Sequence, residues 1–387
     1  MLRYFTAGES HGKFISVILE GIPAGLKITE DDINTELKRR QKGYGRSERM
    51  VLESDKVIVT SGIRWGETTG APICFLIENK ISKSYENLMS IYEKDRNEEL
   101  FVLNPRPGHA DLPGYLKYYR RDLRDIQERA SARETVGRVA AGAVCRKFIL
   151  EFNIKIYSFI EQICGINVKQ IDIDKIETKI EKIEKSPLRC YDKVAEQKMI
   201  KLINKAKNDG DTVGGKFCII VKNVPPGLGS HTQWDLKLDG RLAQALTSIQ
   251  AVKGVEFGLG FRFAENFGSS VHDEICYKKG YGFYHKTNNA GGIEGGMSNG
   301  EDIIIHAVMK PIPTLRKPLE SVNIKTKKVV KANVIRSDVC AVPSCCIIGE
   351  SVVSIEIAKA FLEKFGGDSI VETRQRYKEY LRYLKSI

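Results

Sequence analysis

Several familiar signatures are missing from this sequence. No apolar run approaches the ~20 residues of a membrane span, and the opening MLRYFTAGES turns polar too soon for a secretory signal. No membrane partner is therefore expected, and a cytoplasmic location is. No internal repeat, low-complexity tract or convincing linker divides the 387 residues, so one large domain is expected. The GxGxxG fingerprint of a Rossmann site does not occur in its glycine-rich loops. The P-loop template also fails. GESHGK (Gly8–Lys13) has three residues between its glycines where the template needs four, and Phe14 follows Lys13 where it needs Ser or Thr. Nine cysteines lie without metal-type spacing, so reduced, mostly buried thiols and no metal centre are expected.

What is present is positive charge, a formal +12. Such an excess suits nucleic acid, an anionic membrane surface or small polyanions. Its distribution helps decide. Arginine clusters among glycines in RRQKGYGRSER (Arg39–Arg49) and PRPGH (Pro105–His109), and in RASAR (Arg129–Arg133). Lysine is spread over surface-type segments such as Lys175–Lys185, where Ile176, Ile180 and Ile183 form one apolar stripe. A nucleic-acid binder wants cations interleaved with exposed aromatics, or a basic helix. Arginines held in glycine loops favour a small anionic substrate instead, with no nucleic-acid partner.

Strand-like segments Lys56–Ile63, Ala71–Ile77, Lys216–Val224 and Glu301–Met309 alternate with helices, which predicts an α+β or layered α/β protein. The Lys/Glu/Ile-rich stretch 155–208 lacks the glycine loops and reads as a peripheral helical insertion. Thr29 and Asp32 form a capping box opening a helix that ends in Lys38, Arg39 and Arg40. Arg46 and Arg49 continue the cationic run where no helix end needs them. Ser131 and Glu134 suggest a second capping box, followed by a thin helix through Gly137, Ala140, Ala141 and Ala143. Arg129 and Arg133 flank that start, as an anion site or as ion-pair partners of Asp125 and Glu128.

Leu238, Leu242, Ala245, Leu246 and Ile249 mark the core side of another helix. NNAGGIEGGMSNGED (Asn288–Asp302) permits close backbone approach to a ligand. KPIPT (Lys310–Thr314) is a rigid turn that either holds a phosphate or ends a strand. Of six histidines, His11 and His109 sit in glycine-flanked loops beside cations. Asp338 follows Arg336 by two, so an extended chain would place both on one side, as a positioned base or an ordinary ion pair.

Together these stretches resemble one family, chorismate synthase. TAGESHGKFISVILEGIPAGL, RRQKGYGRSERM, SGIRWGETTGAPICFLIEN, PRPGHADLPGYLKY, RASARETVGRVAAGAV, SIQAVKGVEFG, NNAGGIEGGMSNGEDI, KPIPTL, RSDVCAVPS and FLEKFGGDS come in family order over nearly the whole chain. The 155–208 region and the last helix match loosely. The resemblance implies a β-α-β sandwich assembled as a homotetramer. It implies that 5-enolpyruvylshikimate 3-phosphate loses phosphate and a ring proton by anti-1,4-elimination, giving chorismate with reduced FMN as cofactor. It further implies that Arg40, Arg46, Arg49, Arg106, Arg133 and Arg336 clamp the substrate, with Arg40 and Arg46 also the NADPH-associated positions. Flavin contacts fall on Arg129, Ala130, Ser131, Gln250, Ala251, Gly295, Lys310, Pro311, Ile312, Pro313, Thr314 and Arg336. His11 would protonate the departing phosphate, His109 would serve the flavin, and Asp338 would act with flavin N5 on the ring proton. Flavin reduction falls either to the chain itself with NADPH or to an external flavin reductase. Two rivals remain: a flavin or NADPH oxidoreductase, which would consume reductant in step with product, and a basic nucleic-acid-binding protein, which would bind with steep salt dependence.

Overall fold

The computed structural model describes residues 2–46, 55–334 and 337–387. Two antiparallel sheets enclose a layer of helices. In the first sheet the strand order is Arg3–Ala7, Phe14–Glu20, Ile73–Glu78, Val57–Ser61. Period-2 patterning fixes its faces: Ile15, Val17 and Leu19 point inward with Ile73, Phe75 and Ile77, all fully buried. The second sheet runs Val252–Phe257, Ile303–Met309, Gly215–Lys222, Lys155–Ile163, Ile166–Asn167. The four predicted strands all form, each within about two residues of its expected ends. The architecture is the expected β-α-β sandwich.

The middle layer pairs the helices Thr135–Leu150 and Val342–Phe365. The first packs on the four-stranded sheet and the second on the five-stranded sheet. Small residues set their spacing. A Cβ added at Gly142 would lie 2.5 Å from the Cβ of Ser351, and one at Gly349 would lie 2.7 Å from Ile219 Cδ1. Nineteen of the 24 residues of Val342–Phe365 are buried, as a helix apolar on every side requires. Its Glu350 is buried too, and is held by Arg39 at 2.9 Å, Arg189 at 3.1 Å, Ser158 at 2.6 Å and Arg146. Burial pushes this carboxyl up, but the three guanidiniums outweigh it and hold it well below the ordinary range.

The 155–208 stretch differs from the expected helical insertion. Its first nine residues are a strand inside the second sheet. Only after it come the turn Ile173–Lys179 and the helices Ile180–Lys185 and Lys193–Asn208. Ile176 and Ile183 then cover Phe159, Cys218 and Ile220 on the sheet's outer face. Alternation along Lys155–Ile163 is blurred because both faces are covered.

The first capping box is present: Thr29 Oγ1 accepts from Asp32 N–H while Asp32 accepts from Thr29 N–H, opening Glu30–Gln41. The second is not. Ser131 Oγ accepts from Arg133 N–H, but Glu134 turns away to Thr6, Arg138 and Gln250. Among the described residues, no helix is long and apolar enough to cross a membrane. All nine cysteines are free, and burial pushes Cys340 and Cys346 up to about 12.

Candidate active site

The GESHGK turn joins the first two strands of the four-stranded sheet. Gly8 takes φ +111°, and a Cβ there would lie 2.3 Å from Phe14 O, so the bend needs glycine. His11 leaves the turn and meets Glu128. One Glu128 oxygen accepts from the His11 backbone N–H at 2.8 Å, and the other lies 2.8 Å from His11 Nδ1. The imidazole stacks on Tyr85 with ring centroids 4.1 Å apart. Ser10 Oγ accepts from Ser131 Oγ at 3.1 Å.

His109 is the second centre. Its Nδ1 lies 2.5 Å from Asp111, which is fully buried and also accepts from Arg106 Nε at 3.0 Å and Gln127 Nε2 at 3.0 Å. Burial pushes Asp111 up, but His109 and Arg106 outweigh it and hold it well below the ordinary carboxylate range. An ionised carboxylate only accepts, so Nδ1 carries the proton and Arg106 donates to Nε2 at 3.3 Å. The KPIPT segment closes against this loop: Lys310 Nζ donates to Gly108 O at 2.6 Å and Arg106 donates to Thr314 Oγ1 at 3.2 Å.

A cationic cluster is tied to the His11 turn through Asn79, which accepts from Arg133 and donates to Gly12 O. Arg40 is 3% exposed and donates to Thr135 Oγ1 and Ala132 O. Arg133 donates to Asn79 Oδ1 at 2.6 Å, Asp55 Oδ1 at 2.5 Å and Glu78 O at 3.2 Å. Arg46 donates to Ser344 Oγ at 2.5 Å and pairs with Asp338 at 3.2 Å. Burial, with Arg46 and Arg133 nearby, pushes Arg40 down to about 10 against the pull of Asp55 and Asp338. Arg40 NH1 and Arg46 Nε are buried, each beside a carboxylate, Asp55 at 3.5 Å and Asp338 at 3.2 Å, without a well-aligned hydrogen bond to it. A buried donor that faces its partner off-axis keeps capacity for a better-placed acceptor.

The remaining expected positions mostly join this network. Arg129 donates to Gly8 O and Thr6 O and shares an open groove with Tyr4, Phe5, Thr6, Glu134, Arg138 and Gln250. Ala130 ends the helix Arg124–Ala130. Ala251 takes φ +69° and its carbonyl accepts from Lys310 N–H at 2.9 Å. Pro311, Ile312 and Pro313 lie in the same closing segment, with Ile312 O accepting from Thr212. Ser337, beside Asp338, donates to Thr314 O at 2.8 Å. Gly295 stands apart in a separate hairpin, Ile293–Glu294 with Met297–Ser298, facing open space. Arg49 and Arg336 lie outside the described residues.

Sequence reading missed Asp111, Gln127, Asp55, Asn79 and Tyr85, and it offered Glu128 and Asp125 to Arg129 and Arg133, whereas Glu128 holds His11 and Asp125 pairs with Arg120. Asp111 had a visible signal, two residues after His109. Glu128 is 117 positions from His11 and had none. The other histidines serve elsewhere, His306 paired with Glu161 at 2.9 Å and His285 with Glu294 at 3.1 Å.

A family model described as Chorismate synthase matches residues 2–362. The chain is 53% identical to the chorismate synthase of Geobacter metallireducens over the full length of both. It is 54% identical to that of Endomicrobium trichonymphae, again over both full lengths. It is 48% identical to that of Aquifex aeolicus, covering all of this chain and 98% of the relative. A crystal structure of chorismate synthase superposes with a TM-score of 0.82 at 42% identity, covering 100% of this chain and 99% of the other.

Proposed function

This chain belongs to the chorismate synthase family and is a lyase forming chorismate in the shikimate pathway, and we propose that its reaction runs at the Arg40–Arg46–Arg133 cluster with the two histidines. The substrate is 5-enolpyruvylshikimate 3-phosphate, which loses phosphate and a ring proton by anti-1,4-elimination. The observation that carries this is the buried cluster of three guanidiniums, Arg40, Arg46 and Arg133, in which Arg40 NH1 and Arg46 Nε meet their carboxylates without a well-aligned hydrogen bond. The two carboxylates and one phosphate of the substrate supply acceptors that bidentate guanidinium geometry suits. Arg106, Arg49 and Arg336 are proposed to complete the clamp.

The family requires a reduced flavin, and the residues present fit one. Gln250 Oε1 is a buried acceptor with no partner, beside a groove that also exposes Arg129. We assign FMN to Arg129, Ala130, Ser131, Gln250, Ala251, Lys310 through Thr314, Gly295 and Arg336. When bound, reduced FMN supplies electron density to the allylic system as phosphate leaves. His11 donates a proton to that phosphate, a step of the kind that contributes ~10²–10⁴-fold in rate. His109 holds a proton at Nδ1 against Asp111, on the loop that Lys310 closes, and would serve the flavin. Asp338 takes up the ring proton. Arg40 and Arg46 would also meet NADPH if the chain reduces its own flavin; an external flavin reductase is the alternative. The exposed Phe5, Ile18 and Ile58 on the outer face of the four-stranded sheet support assembly as a homotetramer, and the free, buried thiols support a cytoplasmic location.

The test is anaerobic turnover of this substrate with photoreduced FMN, compared with NADPH plus FMN. Many product molecules per flavin are expected in the first case. Reductant consumed one-for-one with product would instead make the chain an oxidoreductase.

A further inference from the structure

We infer that Glu128 is a positioning residue that fixes the tautomer and direction of the His11 imidazole. The inference rests on the reading of His11 as the proton donor. Glu128 is 6% exposed and spends both carboxylate oxygens on the same residue, one on the His11 backbone N–H and one on ring Nδ1, each at 2.8 Å. A carboxylate offers only acceptors, so Nδ1 carries a proton. Two bonds from one rigid group, to the backbone and to the ring, leave the side-chain torsions no freedom. Stacking on Tyr85 fixes the ring plane. Among the described residues Nε2 forms no hydrogen bond, and the side chain keeps 21% of its surface exposed. Nε2 is then the one ring nitrogen facing outward, and it hands on a proton from the doubly protonated ring, which keeps its Nδ1 proton on Glu128 and is left as the neutral Nδ1–H tautomer.

The mount is shared. Glu128 and Gln127 are neighbours in Arg124–Ala130. Gln127 donates to Asp111, the carboxylate on His109 Nδ1. Arg129 ties the same helix to Gly8 O, and Ser10 N–H donates to Glu128 O at 3.1 Å. One short helix therefore orients both imidazoles, each through a carboxylate on Nδ1. An ordinary surface ion pair would not be buried at the carboxylate, nor use both oxygens on one residue.

The experiment replaces Glu128 with Gln, which keeps shape but offers a single acceptor oxygen beside an amide donor. Ring ¹⁵N shifts of labelled histidine would be read at about pH 9, where an ordinary imidazole is neutral. His11 should be a pure Nδ1–H tautomer in the parent and shift toward Nε2–H in Glu128→Gln. Turnover should fall at least about tenfold in kcat, with substrate KM within about twofold. An unchanged tautomer in the variant overturns the inference, whatever the turnover. A shifted tautomer with unchanged kcat upholds Glu128 as the positioning group and removes His11 from the proton-donor role. Glu128→Asp serves if Glu128→Gln does not fold. Its withdrawn carboxylate should give a mixed tautomer, and a parent-like signal there overturns the inference equally.

Discussion

Adding one methyl group at Gly142 tests how the middle layer is built. In an isolated helix, Gly→Ala near the centre is worth about 1 kcal/mol in favour of alanine. Here the new Cβ would lie 2.5 Å from Ser351 Cβ, 2.7 Å from Ser351 Cα and 2.8 Å from Ser351 O. Two of these three are backbone of the Val342–Phe365 helix, so no rotamer change relieves the clash. The helices must move apart by up to about 1 Å, which weakens dispersion contacts along the shared face. Overpacking of this kind costs about 1–3 kcal/mol. The upper end applies, because the opposite faces of both helices are already buried against the sheets. Subtracting the propensity gain leaves a net loss of about 2 kcal/mol. Gly240→Ala is the control. It lies exposed in Leu238–Thr247, and its Cβ would meet nothing closer than 4.0 Å, so the propensity term acts alone and stability should rise by up to about 1 kcal/mol. Urea midpoints at constant m-value are the appropriate assay. For 387 residues at ~2.1 cal/mol/K each, 2 kcal/mol moves Tm by only about 2–3 °C. If both variants prove equally stabilising, the close helix approach at Gly142 is wrong.

Glu350 and Asp111 both have folded-state carboxyls held below their ordinary values, so each contributes stability that is complete above the unfolded pKa of about 4 and is lost as pH falls below it. Near-ultraviolet dichroism followed from neutral to acid should show that loss, and Glu350→Gln, which leaves Arg39 and Arg189 only Glu36 and Glu184 as anionic partners, should cost up to about 3–5 kcal/mol at neutral pH. Arg133→Lys cannot keep the contacts to Asn79, Asp55 and Glu78 O together, and substrate should bind at least about tenfold more weakly with FMN binding little changed. Equal losses for both ligands in equilibrium titrations would remove Arg133 from the substrate clamp. A substrate with a better leaving group than phosphate should partly rescue His11→Ala and leave His109→Ala unrescued; the opposite pattern exchanges their roles. A thiol reagent at neutral pH should label exposed Cys164 first and reach buried Cys340, Cys345 and Cys346 only on unfolding, which mass mapping of labelled peptides will decide.

Much of the outline was written locally in the chain. Alternation marked the strands, because each face of the four-stranded sheet meets a different environment. Thr29 and Asp32 marked a helix start, because a cap is satisfied within four residues. Arg46 and Arg49 stood out because they continue a cationic run among glycines, past the helix end that accounts for Arg39 and Arg40. The 24-residue helix Val342–Phe365 had no such signature. It is buried on all sides, so it has no polar face and no 3.6-residue rhythm. Ser131 and Glu134 spelled a capping box of which only the Ser131 half formed, because Thr6, Arg138 and Gln250 compete for the Glu134 carboxylate once the sheet is in place. The partners of the catalytic candidates were equally hidden. Glu128 reaches His11 and Asp55 reaches Arg133 only when distant segments meet around the helical layer. The sequence by itself determined which side chains carry charge and where the chain can bend. The tertiary structure decided which carboxylate faces which cation or ring, because hydrogen-bond partners are chosen by proximity in space and burial makes each such choice binding.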